Sequence, residues 1–327
     1  MPRSRQRGAC VREVVSELGA TPVSAGSPRV VVFGDVIDDI IVTPSGDIRP
    51  DTDTPARIVR TAGGSAANSA AWLAWAGCHV DFVGRVHVTD LERHRALLVE
   101  ARVSPHLLGE PDLPTGAIVV IVSADGARTM LTQRGANAAL SPRDIGPERL
   151  ARAHHLHFTG YSIFRHARTV DFPDLIRRAH DADVTVSVDP GSAGFIADFG
   201  RDRFLEAIRE ADIVVPNLDE GRALTGRSDP SSIVESLVER FPLVALTLGR
   251  DGVVLGTNDG IRLSAPSKAT RAVDTTGAGD AFCASFLSVV LHEPVRDRDV
   301  LERAVSRGLD TAARAVAVVG ARPSPTA

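Results

Sequence analysis

The chain has 327 residues, 43% hydrophobic, 24% charged and 4% aromatic, with 37 basic and 41 acidic side chains giving a net charge of −4. That length suits one large α/β domain or two small ones with a substantial buried core. Mild acidity without a basic block argues against a nucleic-acid partner, and the lack of a long apolar run argues against a membrane span.

Residues 1–28 are polar and unpatterned, lack the apolar stretch of a signal peptide, and read as a flexible leader. The first strong strand signal is VVVFG, Val30–Gly34, an uninterrupted apolar run of the kind buried at the centre of a sheet. Ile40–Arg60 is turn-rich and predicts short exposed strands, after which the small-residue stretch TAGGSAANSAAWLAWAG predicts a helix leading to the strand HVDFVG. AIVVIV and RTMLTQ flank SADGA, and Asp-Gly between apolar runs predicts a hairpin. From about residue 150 the strands HLHFTG, VTVSVDP, DIVVPN and LVALTLG alternate with helices such as TVDFPDLIRRAHDA, RFLEAIREA and SSIVESLVERF. Alternation of this kind marks parallel βαβ units. The hairpin GVVLGTNDGIRL and two helices after Thr276 close the chain. These elements predict an α/β domain over 29–327 with a doubly wound, mainly parallel sheet flanked by helices. A small β-strand lid is expected from segments near 40–60 and 115–133. Ligands in such sheets sit beyond the carboxyl ends of the strands.

Three cysteines, Cys10, Cys78 and Cys283, are far apart and form no CxxC pair, so a disulfide framework is not expected and a reducing cytoplasm is the natural setting. Lys268 is the only lysine, and no Gly-Lys dipeptide exists to build a P-loop. Phosphate handling, if present, must therefore proceed without a lysine clamp.

The motif that answers this is DTTGAGDAF, Asp274–Phe282, in which Gly277, Ala278 and Gly279 precede Asp280 at the head of an apolar helix. Free N–H groups at a helix N-terminus form an anion hole that can stabilise a phosphoryl group. A carboxylate inside that turn can accept a proton from an attacking hydroxyl. The plainer alternative is a Gly-rich turn with a capping Asp. AGGSAAN, Ala62–Asn68, opens a second helix with small residues, which serves either close ligand approach or close helix–sheet packing. VVFGDVIDD ends a buried strand in Asp35, Asp38 and Asp39, which are either acceptors for a polyol or solvated loop acids.

Taken in order, GD-x3-D, GGSAAN, PNLDE, TLG and DTTGAGD resemble the ribokinase-like (PfkB) carbohydrate kinase family from about Val30 to Ser324. The resemblance implies an ATP-dependent sugar kinase that moves the γ-phosphate to a hydroxymethyl group, with Asp280 as base and Gly277, Ala278 and Gly279 as anion hole. It implies sugar contacts from Asp39, Gly63, Gly64 and Asn68, and nucleotide contacts from Asn217, Thr247, Gly249 and Gly252. It further implies Mg²⁺ held through water near Glu220, and a monovalent cation, K⁺, at Asp274 and Thr276. Partners are then a small sugar and ATP, with a possible homodimer through the lid, whose strands offer pairing edges. A nucleoside kinase of the same fold and a non-catalytic sugar- or nucleotide-binding homologue are the competing functions. The chain departs from the family at His87, where Gly is usual, at Ser285, and at Ser65 and Ile37, where ribokinases carry Lys and Asn. The last two departures argue against D-ribose itself.

Four further features stand apart from the motifs. His155 and His157 share one face of a strand with His154 opposite, which suits half-buried strand histidines better than a metal site. Trp72 and Trp75 at i, i+3 spacing suit the core. Cys283, three residues after Asp280, reads as a small buried filler rather than a reactive thiol. Arg128 and Arg134 on and after the second lid strand are either solvated charges or contacts to an anionic substrate group.

Overall fold

The structure, a computed structural model, describes residues 20–24, 26–123, 128–164, 171–268, 272–293 and 297–323. In chain order the strands are β1 (Arg29–Phe33), β2 (Ile37–Pro44), β3 (Ala56–Gly63), β4 (His79–His87), β5 (Ser104–Glu110), β6 (Gly116–Val122) and β7 (Arg128–Gln133). They continue with β8 (His155–Thr159), β9 (Thr185–Asp189), β10 (Ile213–Val214), β11 (Leu243–Thr247), β12 (Val253–Thr257) and β13 (Arg262–Ala265). The helices are α1 (Ser65–Trp75), α2 (Leu91–Glu100), α3 (Pro147–Leu150), α4 (Asp171–His180), α5 (Ala193–Phe199), α6 (Arg201–Ala207), α7 (Leu218–Thr225), α8 (Pro230–Val238), α9 (Ala278–Val290) and α10 (Arg298–Ala315).

Among the described residues nine strands form one sheet in the order β13-β12-β11-β10-β9-β8-β1-β4-β5. It is parallel from β11 to β5, with β12 and β13 added antiparallel at one edge. The apolar run of β1 lies inside it between β8 and β4. Side chains alternate across a strand, so Val30 and Val32 join the core on one face while Val31 and Phe33 join that on the other. The first core packs α1, α9 and α10 through Trp72, Leu73, Phe286 and Leu301. The second packs α4, α6 and α8 through Phe172, Phe204 and Leu237. Helices on both faces make this the doubly wound fold expected from the βαβ alternation.

A separate four-stranded sheet runs β3-β2-β6-β7, with β2 and β6 parallel and the other pairs antiparallel. It is built from the two segments expected to form the lid, but β2 starts at Ile37 and β3 ends at Gly63. Its strands therefore run directly out of the β1 loop and into the GGSAAN turn. Residues 124–127 of the expected hairpin turn lie outside the described residues.

Residues 1–19 and 25 of the stretch read as a leader also lie outside them. The end of that stretch is tied to the body: Thr21 N–H donates to Trp75 O at 2.9 Å and His79 N–H to Pro28 O at 2.8 Å. Among the described residues no helix is long and apolar enough to cross a membrane.

His155 and His157 are fully buried rather than half-buried. A hydrogen-bonded chain accounts for this: His155 Nδ1 contacts Thr185 Oγ1 at 2.7 Å, and Ser187 Oγ bridges His155 Nε2 at 2.7 Å and His157 Nδ1 at 2.8 Å. Burial lowers both rings, His155 to about 3 and His157 to about 4, so they stay neutral. Trp72 and Trp75 pack edge to face in the core, ring centres 5.5 Å apart.

Candidate active site

Three loops at the carboxyl ends of the strands converge. The first follows β1. Asp35 is buried, and its carboxylate accepts the N–H groups of Ser65 at 3.0 Å and Ala66 at 3.1 Å and the Thr159 hydroxyl at 3.3 Å. It thus caps α1 from a distant part of the chain. Asp38 is also buried, and takes a fork from Arg93 at 2.7 and 2.8 Å and a third bond from Arg60 at 2.6 Å. Burial pushes its carboxyl up, but the hydrogen bonds from His94, Arg93 and Arg60 outweigh this and hold it well below the usual range. Neither acid is a solvated loop residue. Asp39 faces a cavity under the small sheet, and burial, with the charge of Asp35, raises it to about 6 against the pull of Arg322.

The second loop is the Gly63–Gly64 turn that starts α1. A Cβ at Gly63 would fall 2.1 Å from Asp39 Oδ2, so the missing side chain is what lets that acid lie against the turn. From the first turn of α1, Ser65 Oγ donates to Asp280 Oδ1 at 2.7 Å and Asn68 Nδ2 donates to Asp280 Oδ2 at 3.2 Å.

The third loop carries Asp274–Gly277 into α9. Gly277 is the N-cap at φ 76°, and a Cβ there would meet Ala321 O at 2.5 Å, so glycine is required twice over. Its turn opens the first N–H groups of α9, which have no acceptor within a helix. The Ala278 N–H bends back to Thr275 O at 3.3 Å. Asp280, in this first turn, is buried, and burial raises its pKa to about 7 while the Ser65 and Asn68 bonds pull it down.

Two cavities meet here. The larger, about 650 Å³, lies between the small sheet and the main domain and is lined by Asp39, Gly64, Asn68, Asp274, Thr276 and others. The second, about 440 Å³, runs along the ends of β9 to β11 past Asp189, Asn217, Glu220, Thr247 and Gly279. Ser65, Arg128, Tyr161, Thr276, Gly277 and Asp280 line both. Gly63 and Ala278 line neither, and Gly249 and Gly252 sit in the turn just past Thr247, outside both.

In the second cavity Asn217 and Glu220 lock each other in a capping box at the head of α7. Asn217 N–H and Nδ2 donate to the Glu220 carboxylate at 2.9 and 2.7 Å, and Glu220 N–H donates to Asn217 Oδ1 at 2.9 Å. Burial raises Glu220 to about 7 and pushes the neighbouring Asp189 well up, each with help from the charge of Asp280. Buried acids raised this way suit a divalent cation. Among the described residues no group of three or more His, Cys, Asp or Glu side chains could hold a metal ion directly.

Several expectations change. His87 stands at φ −60°, ψ 145°, an unstrained extended conformation, so no glycine is needed there. Its ring accepts the Thr89 N–H, and its own N–H donates to Thr115 Oγ1 at 3.1 Å. Asp274 and Thr276 are engaged by Arg128 of β7, whose Nη2 donates to Asp274 Oδ1 at 2.7 Å and whose Nη1 donates to Thr276 Oγ1. Cys283 is fully buried, and burial pushes its thiol well up, as expected of a filler.

Sequence reasoning did not single out Ser65 or Arg322 as site residues. Ser65 sits inside a motif already flagged, so its small hydroxyl beside two glycines was the available signal. Arg322, whose Nε donates to Asn68 Oδ1 at 3.1 Å and whose Nη2 donates to Gly63 O at 3.0 Å, has no local pattern that marks it.

An ATP-dependent ribose-1-phosphate kinase of Halopiger xanaduensis is 35% identical over 308 residues, covering 91% of this chain and 95% of that one. Fructokinase-1 of Oryza sativa subsp. japonica is 27% identical over 309 residues, covering 91% and 94%. The crystal structure of adenosine kinase from Sinorhizobium meliloti superposes with a TM-score of 0.78 at 26% identity, covering 91% and 96%. The family model described as pfkB family carbohydrate kinase matches residues 27–327, and this chain belongs to that family.

Proposed function

We propose that the protein transfers the γ-phosphoryl group of ATP to a hydroxymethyl group of a sugar or sugar-like polyol seated under the small sheet. The observation that carries this reading is the position of Asp280, in the first turn of α9 where the two cavities meet. An acceptor hydroxyl placed there has a carboxylate beside it and helix N–H groups beyond it. As the hydroxyl oxygen bonds to the γ-phosphorus, its proton passes to Asp280 and the bond to ADP breaks. The N–H groups of the first turn of α9, Gly279 among them, stabilise the charge on the phosphoryl oxygens. Asp39 and Asn68 hold the acceptor's other hydroxyls, and the small sheet, acting as a lid, excludes water. Asn217, Thr247 and the Gly249–Gly252 turn border the nucleotide side.

The family implies ATP and a divalent metal, and Mg²⁺ supplies neutralisation of the phosphate charge when bound. Glu220, with Asn217, would hold its water shell. Glu220→Gln should raise the Mg²⁺ concentration needed for half-maximal rate about tenfold or more, roughly one lost outer-shell partner. An unchanged Mg²⁺ curve would remove Glu220 from the site.

The test of the whole reading is ADP release across a panel of free sugars, sugar phosphates and nucleosides. Turnover of a sugar or sugar phosphate supports it, and tight binding without turnover of any panel member sinks it. Nucleosides are included for a specific reason. Ile41, Val59, Ile118, Val120 and Phe195 give the larger cavity an apolar wall that fits a base.

The small sheet also carries Ile40, Val42, Ile58, Val119, Ile121 and Leu131 at positions alternating with the cavity-lining ones, so they face away from it. Ile58 and Leu131 are 65% and 57% exposed. A sheet apolar on both faces supports pairing of two lids in a homodimer. Light scattering should give twice the chain mass, and Ile58→Asp should halve it. A wild-type monomer would overturn the pairing.

A further inference from the structure

Arg128 is the first residue of the edge strand β7, yet its guanidinium leaves the small sheet for the loop ahead of α9. There it meets Asp274, a buried acid whose oxygens are otherwise taken by the N–H groups of Thr276 at 2.8 Å and Gly320 at 3.2 Å. Burial pushes Asp274 up, but the bonds from Thr276, Arg128 and Gly320 outweigh it and keep the carboxylate ionised. The resemblance placed a monovalent cation at these two residues, and that placement does not fit this chain. Asp274 Oδ1 and Thr276 Oγ1 already serve a cation that is part of the protein. A second unit charge sharing them would be repelled strongly enough to lose about 10²–10³-fold in affinity.

We propose that the Arg128 guanidinium takes the place of a monovalent cation at Asp274 and Thr276, supplying from the small sheet the fixed positive charge beside the first turn of α9. Arg128 lines both cavities, so this charge stands next to the position assigned above to the moving phosphoryl group. It is also delivered by the lid rather than by solvent. The charge is in place when the lid lies over the acceptor and leaves with it. In a chain whose only lysine is Lys268, which pairs with Asp310 on α10, an arginine is the available side chain for this task.

The inference rests on the kinase reading for its rate effects but not for its cation effects, and the experiment separates the two. Wild type, Arg128→Ala and Arg128→Lys are compared in KCl, NaCl and choline chloride at matched ionic strength. One readout is melting temperature without substrates, and the other is turnover. Wild type should melt at the same temperature and turn over at the same rate, within twofold, in all three salts. Arg128→Ala should fall about 10²-fold in choline, regain at least tenfold in KCl, and show a saturable K⁺-dependent rise in melting temperature. Arg128→Lys should keep the cation independence with an intermediate rate. A saturable K⁺ effect on wild type, in either readout, overturns the proposal. So does an Arg128→Ala protein that matches wild type in choline, or one whose only change is a higher KM for the acceptor, the mark of a mere lid latch. If no acceptor is turned over, the kinase reading fails, and the melting curves still decide whether Arg128 fills the cation's place.

Discussion

Asp280→Asn is expected to lower kcat by about 10²–10⁴-fold, the usual worth of general-base catalysis, and at the same time to stabilise the protein above neutral pH. Both effects come from one environment. The Asp280 carboxyl is buried among Ser65, Asn68 and the head of α9, and burial raises it from 3.8 to about 7. A base must be ionised to act, so the wild-type rate should climb with pH and level off above about 7. The same environment sets the sign for stability. Between the unfolded value near 3.8 and the folded value near 7 the folded state binds the extra proton, so stability falls as pH rises through that window. Above it the buried charge costs up to about 4 kcal/mol, since each tenfold gain in proton affinity is worth roughly 1.4 kcal/mol. Asparagine keeps the size and can still accept from Ser65, but carries no charge. The melting temperature of Asp280→Asn should therefore exceed that of wild type by a margin that widens from pH 4 to pH 8. A variant active within a few-fold would reduce Asp280 to a helix cap, and a margin that does not change with pH would show that its carboxyl is not strained.

The backbone of this site was legible because its signals are local. GGSAAN and GAGD need small residues for reasons that a few adjacent positions contain, and the structure shows the reasons: Asp39 against Gly63 and Ala321 against Gly277. The βαβ alternation was legible on the same ground, since each strand and helix carries its own period. What the sequence hid is the long-range pairing. Asp35 reads as a loop acid until α1, some thirty residues on, is seen to place its first N–H groups over it. Arg128 and Asp274 are separated by 146 positions and Arg322 and Asn68 by 254. No periodicity joins such residues, because the contacts exist only after the small sheet and the C-terminal loop have closed on the main domain. His87 shows the converse error. The family pattern has glycine there, but the strand simply ends at His87 in an ordinary extended conformation that any residue adopts.

Arg322→Met carries the second large effect. Its guanidinium is desolvated enough to fall to about 10, and the charges of Asp39, Asp280 and Asp35 oppose that fall. It donates to Asn68 Oδ1 and Gly63 O, so it fixes Asn68, which lines the acceptor cavity, and the GGSAAN turn beside it, without lining that cavity itself. Methionine fills similar space and removes only the charge and the donors. Three carboxylates then share the pocket without their cation, and Asp39, already at about 6 with Arg322 in place, should rise further. Losing the donors leaves Asn68 Oδ1 and Gly63 O unpaired, each buried polar group costing about 1–3 kcal/mol, and the acids lose an attracting charge whose absence matters less below neutral pH as they take up protons. The expected result is a lower melting temperature with the deficit largest at alkaline pH. Enzymatically, KM for the acceptor should rise about tenfold or more, the equivalent of roughly 1.4 kcal/mol, and the rising limb of the pH–rate profile should move to higher pH. Arg322→Lys tests the geometry separately, because an ammonium restores the charge but not the planar fork that reaches Asn68 and Gly63 together. It should recover the pH profile and leave the KM defect. An unshifted profile in Arg322→Met would show that the arginine serves only to fasten the C-terminal loop, and that Asp39 and Asp280 are set by burial alone.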